Sequence, residues 1–197
     1  MSITQPTRSA RIRASLDHPV IDVDGHIIEF LPALVDTLKE VAGPDMVKRY
    51  HALFKEEGDP ISAGRSWYQL TPEERFDERT VRPPWWTYPT TNTLDRATAM
   101  LPRLLRERLD DMGIDFTVLY PSEVIFFLQV EDDELRQSLC RAVNTYHAEL
   151  YREHSDRMTP AATIPMHTPQ EAVAELEHAV KELGMKAIMI AGSVRRP

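Results

Sequence analysis

One cysteine, Cys140, occurs in the 197 residues, which excludes an intramolecular disulfide and agrees with a reducing, cytoplasmic setting. Long apolar runs are missing as well. The stretch from Val124 to Leu128 is among the longest, far below the roughly 20 residues that span a bilayer, so no transmembrane helix is expected. Glycine is sparse at seven residues, and neither Gly-x-Gly-x-x-Gly nor a P-loop follows any candidate strand, which removes the usual phosphate cradles. Positive charge is in deficit: 23 Lys and Arg stand against 31 Asp and Glu, a net charge of -8. That balance argues against nucleic acid or an anionic membrane as partner and leaves small-molecule chemistry. The first 18 residues carry Arg8, Arg11 and Arg13 without an apolar stretch, so residues 1–18 read as a mobile leader and not as a secretion signal.

What is present suits one well-buried domain. Its most informative stretch runs from Pro19 to Phe30. Val20, Ile21 and Val23 are interleaved with Asp22, Asp24 and His26, and Gly25 falls where a strand would end. Strict alternation would point Asp22, Asp24 and His26 the same way, placing a carboxylate and an imidazole two residues apart, a spacing that suits a metal ion. The same spacing suits carboxylates that cap the following turn, with His26 an ordinary loop residue, and leaves both readings open.

Leu31, Leu34, Leu38 and Val41 mark one face of a helix ending at Gly43, and a second helix is expected over residues 44–57. An aromatic and proline-rich insertion follows at about 58–93, with Trp67, Tyr68, Trp85, Trp86 and Tyr88, a lid or a dimer contact. Within it, Thr71-Pro-Glu-Glu74 has capping-box spacing. Leu101, Leu104, Leu105 and Met112 predict the next helix, ended by Gly113, and residues 115–120 a strand. A long helix carries the stripe Leu135, Leu139, Ala142, Val143, Tyr146 and Leu150, followed by a strand over residues 159–164. Thr168-Pro-Gln-Glu171 opens a helix with the stripe Ala172, Leu176, Ala179, Val180 and Leu183, and residues 187–190 form the last strand. His147, His154 and His178 fall on helices and read as surface or capping residues.

Alternating helix and strand from residue 95 onward implies parallel strands and an α/β fold. In such folds ligands gather at the carboxyl ends of the strands, which puts Asp24, His26, Ser122, Glu123, His167 and Ser193 on one rim.

Three segments carry a resemblance: Ile21-Asp-Val-Asp-Gly-His-Ile-Ile-Glu29, Leu109-Asp-Asp-Met-Gly-Ile-Asp-Phe-Thr-Val-Leu-Tyr-Pro121, and Ile164-Pro with Pro169-Gln-Glu-Ala-Val-Ala-Glu-Leu176. They resemble the amidohydrolase-related proteins of the aminocarboxymuconate-semialdehyde decarboxylase type, from about residue 19 to residue 197. The resemblance implies a (β/α)8 TIM barrel and a metal-dependent hydrolase or non-oxidative decarboxylase of a small carboxylated or carbonyl-containing substrate. It implies a divalent metal on Asp24 and His26. The family pattern is Asp-x-His-x-His, so Asp24 here replaces the first histidine; zinc is the ion expected and manganese the alternative, since an oxygen beside one nitrogen is compatible with zinc and leans toward harder ions. Asp22, Glu29, His167 and Arg195 are the further candidates, as groups behind the ligands or in contact with substrate.

Family enzymes complete the metal shell with a histidine after the fifth strand and an aspartate after the eighth, and no residue here matches either. A full barrel takes about 250 residues, whereas about four βα units account for this chain. Residues 19–197 are therefore expected to form a partial barrel: a truncated form of the enzyme, a fragment of a longer chain, or half of an assembly completed by a homo-oligomer or a complementing C-terminal half. The alternative is an inactive fragment or paralogue that acts only through association with another subunit.

Overall fold

In the computed structural model, residues 5–56, 71–77, 93–122 and 124–191 are described. Most of the aromatic insertion, together with Glu123, Ser193 and Arg195, lies outside them. Strands β1 (Ile21–Ile27), β2 (Phe116–Pro121), β3 (Met158–Ile164) and β4 (Ala187–Ile190) pair in sequence order, and every pairing is parallel. Parallel neighbours need a crossover. Here α2 (Leu31–Ala42), α3 (Pro44–Glu56), α4 (Pro72–Asp77), α5 (Thr93–Met100) and α6 (Pro102–Met112) lie between β1 and β2. Helix α7 (Asp133–Tyr151) joins β2 to β3, and α8 (Pro169–Glu177), continued by a π turn, joins β3 to β4. This is the connectivity of half an eight-stranded barrel, the architecture expected.

The core is the seam between the sheet and its helices. Ile27, Leu119 and Met158 meet Leu105, Leu109 and Tyr151, while Leu34, Leu38, Val124, Phe127, Leu139 and Val143 form a second cluster under α2 and α7. Two predicted stripes are rotated from the observed ones. In α6 the buried face is Pro102, Leu105 and Leu109, and Met112 is exposed, because i, i+4 spacing from Leu105 leads to Leu109. In α7 the last turn buries Tyr151 and leaves Leu150 outside.

Helix α8 departs further. Leu176 and Val180 are exposed, and the buried positions include the carboxylates of Glu171 and Glu175. Each has a partner on α7. Arg136, fully buried, donates to Glu171 at 2.8 Å and to the carbonyl of Val130; Arg141 donates to Glu175 at 2.8 Å, and Asn144 bridges Glu175 and Thr163 of β3. Charges out of water are tolerated when paired and hydrogen-bonded, and this network supplies both conditions.

The residues expected as a leader contain helix α1 (Arg8–Ala14). Thr7 caps it by accepting from the Ala10 amide, and Arg13 pairs with Asp115, whose carboxylate also accepts from the Val20 amide ahead of β1. Gly113 ends α6 at φ 74° directly against the Ser9 carbonyl, so glycine satisfies both the left-handed turn and the close approach of α1. At the sheet edges Ile21, Val23, Ile188 and Ile190 are exposed. No helix among the described residues is long and apolar enough to cross a membrane.

Candidate metal centre at the strand exits

The exit of β1 is shaped by a bulge. Asp22 pairs with Thr117 and Gly25 with Leu119, so Val23 and Asp24 together oppose the single residue Val118. An extra residue reverses the face of everything beyond it. Asp22 and His26 therefore project from opposite faces, a correction to the simple alternation. Asp22 turns toward Thr117, whose hydroxyl lies 3.4 Å from its carboxylate, while His26 pairs with Tyr120, their ring centroids 6.2 Å apart. Asp22 also accepts from the Asp24 amide at 3.0 Å, an Asx turn that holds the bulge.

Gly25 is required here by contact. A Cβ at that position would stand 2.5 Å from the Thr117 hydroxyl, 2.9 Å from Leu119 Cδ2 and 2.9 Å from the Val118 carbonyl oxygen. Only a residue without a side chain lets β1 lie this close to β2.

Asp24 and His26, two residues apart, stay together at this exit. His26 Nε2 lies 3.8 Å from Asp24 Oδ1, with the Asp24 side chain 90% exposed and His26 about one-third exposed. Two donors each about 2.1 Å from one ion can be no more than about 4.2 Å apart. The observed separation falls inside that limit, so an oxygen and a nitrogen donor can share a divalent ion. No third His, Cys, Asp or Glu joins them among the described residues.

The other ring nitrogen of His26, Nδ1, faces Ser122 Oγ at 3.3 Å. Ser122 follows the last residue of β2, and its amide donates to Glu29 Oε1 at 3.2 Å. Glu29, a candidate to stand behind the ligands or touch substrate, is buried, its carboxylate 3.5 Å from His147 Nε2. His147 is itself fully buried on α7, contrary to its reading as a surface or capping residue. The spacing carries the signal in retrospect: Leu139, Val143 and His147 succeed one another at i+4 on the inward stripe. Burial, and next the Glu29 carboxylate, push the Tyr151 phenol pKa up.

His167 follows β3, but its Nδ1 turns back toward Glu171 at 3.9 Å, next to the buried Arg136, and the structure does not bring it to Asp24 and His26. Thr168 and Glu171 make the predicted capping box, which locates His167 at the start of α8. His178 is half-buried, and burial, followed by Arg141, draws its pKa down.

The sequence model of the family described as amidohydrolase matches residues 21–195. The chain belongs to the amidohydrolase family. Among solved structures it is similar to 5-carboxyvanillate decarboxylase from Novosphingobium aromaticivorans complexed with manganese and 4-hydroxy-3-methoxy-5-nitrobenzoic acid. That likeness has a TM-score of 0.56 and 17% identity, over 98% of this chain and 46% of that one. Dihydroxybenzoic acid decarboxylase from a Polaromonas species, with bound manganese and the inhibitor 2-nitroresorcinol, gives 0.52 and 19% over 91% of this chain and 40% of that one. The 5-carboxyvanillate decarboxylase of Sphingomonas paucimobilis gives 0.52 and 17% over 90% and 44%. The amidohydrolase chain thus spans less than half the length of these proteins, and at such identities the likeness is one of fold.

Proposed function

We propose that this amidohydrolase chain contributes the first-strand ligands of a metal-dependent enzyme that decarboxylates a small carboxylated compound without an oxidant. The observation that carries the reading is the Asp24–His26 pair, held at 3.8 Å by a bulge at a strand exit of a barrel-type sheet. The mixed oxygen and nitrogen donors favour manganese over zinc, in keeping with the manganese held by two of the similar decarboxylases. When bound, the ion would supply a positive charge that orients a substrate carboxylate and offsets the charge left as carbon dioxide departs. Asp24 would bring an oxygen donor to the pair and His26 a nitrogen donor, Nε2. Tyr120, in register with His26, offers a ring beside it against which a flat substrate can lie. Hydrolysis of a carbonyl compound would use the same two ligands and differs in its product.

The second reading, an inactive chain that works by association, is favoured by the exposed Ile21, Val23, Ile188 and Ile190 at both edges of the sheet. Metal analysis separates the two. The chain, purified after loading with manganese, should hold the ion stoichiometrically, and an Asp24→Ala, His26→Ala variant should lose it. Release of carbon dioxide from a panel of hydroxylated benzoates then tests the reaction. Equal metal content in the variant would overturn the assignment of the site.

A further inference from the structure

Behind His26 lies a chain of buried polar groups that neither metal binding nor packing alone requires. The Glu29 side chain has no exposed surface, and neither has His147. A carboxylate in such a place is costly unless it is paired and hydrogen-bonded. Its neighbours include the Ser122 amide, which donates to it at 3.2 Å, and the His147 imidazole, whose Nε2 stands 3.5 Å away. Both ring nitrogens of His147 are buried without a hydrogen-bond partner, so its Nε2 meets Glu29 as a close approach and not as a hydrogen bond. Leucine at residue 147 would pack in the apolar stripe of α7 without leaving a ring nitrogen in that position.

Ser122 links this buried pair to the surface. Its amide is gripped from beneath by Glu29, and its hydroxyl faces His26 Nδ1 at 3.3 Å. With Nδ1 engaged, Nε2 is the nitrogen presented to Asp24. A ligating histidine is commonly fixed in tautomer and direction through its other ring nitrogen, and loss of such a partner costs about 10–100-fold in metal affinity.

We propose that Glu29 and His147 are a buried positioning pair that anchors Ser122, and that Ser122 in turn fixes the ring of His26 with Nε2 toward Asp24. The inference rests on the metal reading above only for its consequence; the orientation of His26 is a property of the chain by itself. Neither Glu29 nor His147 touches substrate. They act through Ser122.

The test uses the full chain and the variants Ser122→Ala, Glu29→Gln and His26→Ala. Long-range 15N NMR of the metal-free protein reads the tautomer of His26. The wild type should show a single tautomer, and Ser122→Ala and Glu29→Gln a mixture. Manganese titration should show affinity about 10-fold or more weaker in Ser122→Ala, at a thermal midpoint within a few degrees of wild type, and a smaller loss in Glu29→Gln. Wild-type tautomer and affinity in Ser122→Ala would overturn the proposal. A change in Ser122→Ala with none in Glu29→Gln would overturn the role of the pair. Unchanged manganese binding in His26→Ala would instead reject the metal site, while the tautomer measurement still decides the positioning.

Discussion

Replacing Gly25 by alanine probes the close approach that shapes the site. The added Cβ would sit 2.5 Å from the Thr117 hydroxyl and 2.9 Å from both Leu119 Cδ2 and the Val118 carbonyl oxygen. A hydroxyl can rotate aside, but the carbonyl belongs to the β1–β2 ladder, so β1 itself must shift. Overpacking of this kind costs about 1–3 kcal/mol, which for a protein of this size lowers the thermal midpoint by about 2–12 °C. Because the bulge also fixes the 3.8 Å separation of Asp24 and His26, manganese affinity should fall more than the midpoint alone explains. Gly43→Ala is the control. That residue has φ 86° and ψ 171°, a region essentially confined to glycine, and nothing within 4 Å of the point where a Cβ would stand, so its cost, about 1–3 kcal/mol, is local strain. Circular dichroism melts and calorimetric manganese titration read both effects. Gly25→Ala with wild-type melting and wild-type affinity, or Gly43→Ala with equally weakened metal binding, would show that the close approach of β1 to β2 does not shape the metal site.

Arg136→Met should destabilise the chain by about 3–5 kcal/mol in urea unfolding, because it leaves the buried Glu171 carboxylate without its guanidinium, and Arg136→Met with Glu171→Met should recover much of the loss. Thr168→Ala removes the hydroxyl that accepts from the Glu171 amide and should cost about 1 kcal/mol in the same assay. Arg13, then the Val20 amide, holds the Asp115 carboxyl below the usual carboxylate range. Its stabilisation is therefore present above the unfolded pKa near 3.9 and is lost as pH falls through the lower folded value. Wild type should lose more stability than Asp115→Asn on acidification from about pH 5 downward, and parallel curves would contradict the pairing. Cys140 is fully buried and burial pushes its thiol pKa up, so it should resist a thiolate-specific reagent until the chain unfolds.

The parallel order of strands was legible because helix stops at Gly43 and Gly113, a capping box at Thr168 and β-branched runs are local signals. The pairing of Asp24 with His26 was legible from their spacing. The face of Asp22 was not, since the bulge arises from contact between Gly25 and β2, residues about 95 apart in sequence. The burial of His147 was hidden for a related reason: a histidine on a helix gives no sign of the carboxylate that will meet it from the end of β1. The α8 stripe held at Ala172, Ala179 and Leu183 but not at Leu176 and Val180, and Glu171 and Glu175 are inward only by virtue of Arg136, Arg141 and Asn144 across the seam.

Helix α7 sends three polar side chains to three different places: Arg136 to the start of α8, Asn144 to the backbone at the carboxyl end of β3, and His147 to the exit of β1. Its leucine and valine stripe would tolerate a slide of one turn, since one apolar side chain fits roughly where another was. The polar contacts would not, because a single slip strands all three buried groups at once. They act as a vernier for the helix, converting an approximate hydrophobic fit into one permitted axial setting, and the same setting that seats α8 also places the group beneath the metal ligands.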